Sequence, residues 1–139
     1  MSYVKFKQRA FSLIEILITI AIISILIAVA SPSYARYTRK AHYTEIINAT
    51  RPLKLAVDSC YQAEDDLTLC NSGANGIPAA LNRANGLVAK AEVQSGVINV
   101  TPVAKYGIKT ADVYILTPSV HDNQITWLAS GKGVQHGYA

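Results

Sequence analysis

The chain has 139 residues, a length that fits one ordinary domain, and half of them are hydrophobic. Its net charge of +4 is concentrated at one end: Lys5, Lys7 and Arg9 fall in the first ten residues, leaving ten basic against nine acidic side chains in the remainder. That balance does not call for a dedicated nucleic-acid binder. Two cysteines and three scattered histidines (His42, His121, His136) match no zinc-ligand spacing.

The first element is "FSLIEILITIAIISILIAVA". Phe11 to Ala30 is twenty residues, about 30 Å as a helix and enough to span a bilayer. From Ile16 to Ala30 only Thr19 and Ser24 are polar. The basic side chains before the run would hold the N-terminus in the cytoplasm. Three readings compete. One is a secretory signal cut after the small-x-small sequence Ala28-Val29-Ala30. The second is a plain anchor. The third starts from Glu15, an acid just inside the apolar run. A carboxylate at the membrane centre costs roughly 2.5–3.5 kcal/mol and usually has a partner. The apolar run contains no basic side chain. Cleavage between Ala10 and Phe11 would create a partner, an α-amino group four residues from Glu15 in the same chain. Between chains, that amine would neutralise Glu15 of a neighbour.

The stretch "A-FSLIEILITIAIISILIAVASPSY" resembles the N-terminus of type IV pilins, which the pseudopilins of type II secretion share. The match is Phe11 at the start, Glu15 four residues on, an unbroken apolar helix and Pro32 closing it. The resemblance implies that a prepilin peptidase cuts after Ala10 and methylates the new amine on Phe11. It also implies that Phe11, Glu15 and Pro32 act in assembly. Two positions depart from the family pattern. Ala10 stands where glycine is usual before the cut. Ser24 stands where many members carry glycine, and this bears on whether residues 24–32 unwind in a filament.

From Ser33 to about Cys60 the pattern stays helical. Ile46, Ala49, Leu53, Ala56, Val57 and Cys60 form one stripe expected to face a core. Ile47 and Leu55 fall off it, either as ordinary exposed residues or as contacts with neighbouring subunits. Pro52 is expected to kink the helix. Tyr34, Tyr37 and Tyr43 follow the apolar span, as interfacial anchors or as packing residues. In an exported chain the two cysteines of "CYQAEDDLTLC" pair with each other; reduced thiols in a cytosolic protein are the competing reading. Residues 60–86 then read as a long loop, with Glu64-Asp65-Asp66 as a solvated acidic cluster rather than a calcium site. "LVAKAEV" and "VINVT", joined through Gln94-Ser95-Gly96, read as a hairpin. "DVYILT" and "QITWLA" form a second, joined by "PSVHDN". The Asn-x-Thr sequences at Asn48 and Asn99 read as chance.

The expected fold is α+β: a long N-terminal helix, half apolar and half amphipathic, packed on an antiparallel sheet of three or four strands. The expected division is a leader (1–10), an apolar membrane or filament-core helix (11–32) and a globular head (33–139). Within the head come an amphipathic helix (33–60), a disulfide loop (60–86) and a sheet (87–130). The order of helix, loop and sheet is also that of the pilin fold. The family's C-terminal disulfide has no counterpart, because the tail "GKGVQHGYA" lacks cysteine.

No phosphate loop, metal cluster or nucleophile–base spacing stands out, so catalytic residues, metal and cofactors are expected to be none. The implied function is a structural subunit of a type IV pilus serving attachment, twitching motility or DNA uptake. The alternatives are a type II pseudopilin or a minor pilin with an adhesive or DNA-binding role. Lys105, Lys109 and Lys132 are the candidate DNA contacts. The implied partners are copies of the chain itself, prepilin peptidase, the inner-membrane assembly machinery, the outer-membrane secretin, and the membrane before assembly. The subunit would be a single-pass inner-membrane protein that later becomes extracellular.

Overall fold

Apolar residues fill every face of the chain from Leu13 to Ala30, and further on they narrow to one stripe; both patterns belong to a single helix. The computed structural model describes residues 10–139, and the leader charges Lys5, Lys7 and Arg9 fall outside them. Helix α1 runs over Leu13–Glu64, 52 residues, and passes through both Pro32 and Pro52 without a break. Each proline still removes one helical donor, so the carbonyls four residues earlier, at Ala28 and Asn48, lose that partner. The chain divides into two units, one up to Arg36 and one of Tyr37–Ala139. The helix outlasts the expected end at Cys60, stopping where Asp65 adopts φ +53, a left-handed residue of the kind that terminates helices.

The head is built on the stripe. Ile46, Leu53, Val57 and Cys60 are buried, and Ala49 and Ala56 pack partly against them. Two further residues join the buried face, Tyr43 and Thr50. Tyr43 is wholly buried, so it packs the core and is no interfacial anchor, whereas Tyr34 and Tyr37 stay exposed. Ile47 is partly buried against the core, while Leu55 is exposed. The hydroxyl of Thr50 is satisfied by donating to the Ile47 carbonyl at 2.7 Å, which is why a polar residue is tolerated there.

Cys60 and Cys70 form a disulfide with their Cα atoms 5.9 Å apart. A 3-10 turn at Leu67–Leu69 lies inside the bridged loop, capped by Asp66, whose carboxylate accepts from the Thr68 N–H at 2.8 Å. Four antiparallel strands follow in the order β1 (Val88–Gln94), β2 (Val97–Pro102), β3 (Tyr114–His121) and β4 (Gln124–Ser130). The outer edge of β1 is covered by the preceding loop, through bridges from Leu81 to Ala91 and from Asn85 to Val88. Val93, Ile98 and Leu116 align across the sheet and are all buried. They supply the inner face that meets the helix stripe within one core cluster.

Both hairpins turn on two residues with positive φ, Ser95-Gly96 and Asp122-Asn123, the twist that matches paired strands. Gly96 suits its place twice over, by its φ of +77 and because a Cβ there would crowd Leu67 Cδ2 at 2.9 Å and Pro118 Cγ at 3.2 Å. The second hairpin differs from expectation. "PSVHDN" is not a loop: strand β3 continues through Pro118 to His121 and pairs with β4 throughout. Proline is tolerated because β2 pairs with β3 only as far as Leu116, so its missing N–H deprives no neighbouring strand. A short helix α2 (Lys132–Gln135) precedes the C-terminus.

Replacing Cys60 and Cys70 together by serine is expected to lower unfolding free energy by about 2–3 kcal/mol, the chain-entropy value for so short a loop. A denaturant midpoint indistinguishable from wild type would contradict this.

Candidate functional site

Ala10, Phe11 and Ser12 precede the helix and are exposed. Glu15 lies in the first turn of α1, where the free backbone N–H groups favour a negative charge. With the helix starting at Leu13, Ser12 and Glu15 take the spacing of a capping box. The sequence "SLIE" carried that signal, and periodicity alone passed over it. Every residue from Ala10 to Tyr37 is exposed. The apolar length of α1 meets the requirement for a membrane span, and none of that stretch is buried. Its two hydroxyls are turned inward along the helix. Thr19 Oγ1 donates to the Glu15 carbonyl and Ser24 Oγ to the Ile20 carbonyl, each at 2.6 Å. Bonded to the backbone in this way, they offer lipid or a packed neighbour no unsatisfied donor.

The head carries a second cluster that sequence spacing does not reveal. Asp112, in the segment between β2 and β3, is 1% exposed. Its Oδ2 accepts from the Lys109 N–H at 2.8 Å, and its Oδ1 lies 2.9 Å from His136 Nδ1. The Asp112 carbonyl accepts from the Tyr43 hydroxyl at 2.8 Å. Tyr138 lies beside Tyr43 and His136, with ring centroids 5.4 and 5.5 Å away. Arg39 Nη1 donates to the Tyr138 hydroxyl at 3.2 Å. Gly133 packs so closely over the Tyr43 hydroxyl that no side chain fits there. Three distant segments thus meet at one buried residue, Asp112. Burial, followed by the negative charge of Asp112, pushes the Tyr43 phenol well above its usual value.

The predicted DNA contacts separate. Lys105 and Lys109 share one turn between β2 and β3, and Lys132 instead opens α2. In that turn Tyr106 stacks on His42 at 4.0 Å, nearly parallel, and Gly107 lies against the Arg39 guanidinium. Among the described residues, no group of three or more His, Cys, Asp or Glu side chains converges as a metal site.

Comparison with known proteins agrees with this layout. A family model described as the prokaryotic N-terminal methylation motif matches residues 5–31. The chain is 38% identical over 132 residues to the type IV pilus subunit protein TapA of Aeromonas hydrophila, covering 91% of this chain and 92% of that one. It is 38% identical over 95 residues to prepilin peptidase-dependent protein D of Escherichia coli strain K12, covering 68% and 64% of the two chains. The solution structure of the major type IV pilin PpdD from enterohemorrhagic Escherichia coli superposes with a TM-score of 0.54 at 26% identity, covering 68% and 69% of the two chains.

The raised Tyr43 value makes the neutral phenol the form that the fold prefers. Its contribution is complete below the ordinary value of 10.0 and is lost as pH rises beyond it. Tyr43→Phe is expected to cost about 1 kcal/mol at neutral pH, for the lost hydrogen bond. The variant should also flatten the fall in stability above pH 10.0. Denaturant midpoints taken from neutral to alkaline pH check both effects; parallel curves for the two proteins would contradict the assignment.

Proposed function

The chain belongs to the type IV pilin family, and we propose that it is a structural subunit of a type IV pilus, polymerised from the inner membrane into a surface filament. The observation that carries this reading is an apolar helix of spanning length that is wholly exposed in the single chain and interrupted by one acid, Glu15. A relative matching 91% of the chain and named a pilus subunit supports a pilus over a secretion pseudopilin.

The precursor is held by its apolar helix, with its N-terminus cytoplasmic and its head outside. Prepilin peptidase cuts after Ala10 and the Phe11 amine is methylated. The exposed, non-helical segment at Ala10–Ser12 suits access by the peptidase. The inner-membrane assembly machinery then moves the helix from lipid into a bundle of identical helices, and the growing fibre leaves through the outer-membrane secretin. Both surroundings of the helix are apolar, so the gain comes from packing and from the pairing of Glu15 with a neighbour's Phe11 amine. That pair also fixes register, because a slipped subunit leaves two charges unpaired in an apolar bundle. Contacts of this head-to-tail kind do not close on themselves and give an open helical filament.

Intact mass of the protein recovered from cells should correspond to a chain starting at Phe11 with one added methyl group. A chain starting at Ser31 would mean an ordinary signal peptide and would remove the filament reading. Glu15→Leu is expected to insert and fold normally but to reduce surface filament at least about tenfold, the scale on which an intramembrane acid and its partner matter. Wild-type filament yield from that variant would contradict the pairing.

A further inference from the structure

We propose that the turn Lys105–Lys109, seated on α1 at Arg39 and His42, is attracted to anionic phospholipid headgroups through their surface potential while the subunit waits in the membrane. The inference rests on the membrane stage of the proposed function and adds a site to it. Tyr106 has φ +54, although it is neither glycine nor asparagine. A left-handed residue of this kind costs on the order of a hydrogen bond and persists only when its surroundings hold it. Here two contacts hold it. The Tyr106 ring stacks on His42 at 4.0 Å. At Gly107 a Cβ would come within 3.0 Å of the Arg39 guanidinium, so turn and arginine are in direct contact. What the strained turn achieves is display: Tyr106 remains 53% exposed beside Lys105, whose Nζ hangs 5.1 Å from the ring centroid.

Cations outnumber acids around this turn. Arg39, Lys40, Lys105 and Lys109 lie on the two segments that meet here, and Lys40, Lys105 and Lys109 are exposed. Among the described residues, none of the four forms a salt bridge. The nearby acids are already engaged. Glu45 accepts from the Leu87 N–H at 2.8 Å, and Asp112 is taken by Lys109 N–H and His136. Exposed cations around an amphipathic ring are the composition that proteins place at anionic headgroups.

Position in the chain selects lipid over other anions. Arg39 follows Ala30, the last residue of the apolar run, by nine residues, about 13 Å of helix. The headgroup layer is about 6 Å deep on each side and its potential reaches about a Debye length, ~8 Å, further. Single-stranded nucleic acid would need an open aromatic face on which to stack a base. On Tyr106 one face is already taken by His42, which leaves less of the ring for a base.

The test is a lysine-acylation footprint of the full chain in phosphatidylcholine nanodiscs, with and without phosphatidylglycerol. Lys105 and Lys109 are expected to react about fivefold more slowly with phosphatidylglycerol, and high salt should abolish the difference. Lys90, which is ion-paired with Glu92 on β1, is the internal reference and should not change. Equal reactivity in both lipids would overturn the proposal. Protection that follows protein-to-lipid ratio in neutral lipid would overturn it in favour of a second copy. Protection produced only by added single-stranded oligonucleotide would overturn it in favour of nucleic acid. Co-elution of the chain with neutral nanodiscs reports the anchoring stage separately; without it, the membrane premise itself falls. Tyr106→Gly relieves the backbone strain and keeps the fold, and it should weaken the phosphatidylglycerol effect.

Discussion

An apolar helix of membrane-spanning length that buries none of its own surface cannot be left in water, and that constraint organises the rest of the molecule. At about 25 cal/mol for each Å² of apolar surface, the stretch from Phe11 to Ala30 must be covered by other apolar matter, and the proposed function supplies it as lipid and then as copies of the chain. The two coverings are alike in polarity, so the helix passes between them with little change in solvation. Thr19 and Ser24 do not disturb this equivalence, because their hydroxyls are bonded to Glu15 and Ile20 carbonyls of the same helix. Glu15 is the one group in the run to which the two environments are unequal. In lipid it has no basic side chain of its own run beside it, and in the proposed bundle it would meet an amine made by processing.

The second half of the same helix solves a different problem. It faces water on most sides and has one stripe to bury, and the sheet supplies the surface for it. Two staples hold that arrangement. One is covalent, tying Cys60 near the end of α1 to Cys70 in the loop that follows. The other is polar and joins α1, the β2–β3 segment and the C-terminal tail around buried Asp112. A buried carboxylate is costly unless it is fully partnered. Here Oδ2 is satisfied locally by the Lys109 N–H, but Oδ1 takes its partner from His136, 24 residues on, so the carboxylate is fully satisfied only when the tail is docked. The tail has no cysteine, and this polar cluster holds its end.

Most of the architecture was legible because it rests on strong local signals. Nothing else in the sequence imitates an apolar run with one acid, a stripe at three- and four-residue steps, or strands bounded by Ser95-Gly96. What escaped the sequence rests on distance in the chain or on competition between signals. Pro118 argues against a strand, and only the absence of β2 opposite it makes a strand permissible. Asp122-Asn123 was a hairpin turn hidden inside a segment that looked like a loop. Asp112, His136 and Tyr43 carry no motif, because their meeting is set by how the sheet lies on the helix. Tyr43 was ambiguous for a related reason: a tyrosine after an apolar span suits an interface by composition, and only its place on the stripe, three residues before Ile46, puts it in the core.

The Tyr106 turn shows how the helix and the loops of the head constrain each other. A strained residue survives in a small domain only if the contacts that hold it outweigh its cost, and here those contacts come from Arg39 and His42, on the part of α1 nearest the apolar run. The same residues therefore fix the turn in place and form the charged start of the head. A substitution at Arg39 would act on the tail through Tyr138 and on the turn through Gly107 together. The start of the head is thereby coupled to the buried cluster that closes it, and the exposed cations are held at a fixed position instead of hanging from a loose loop.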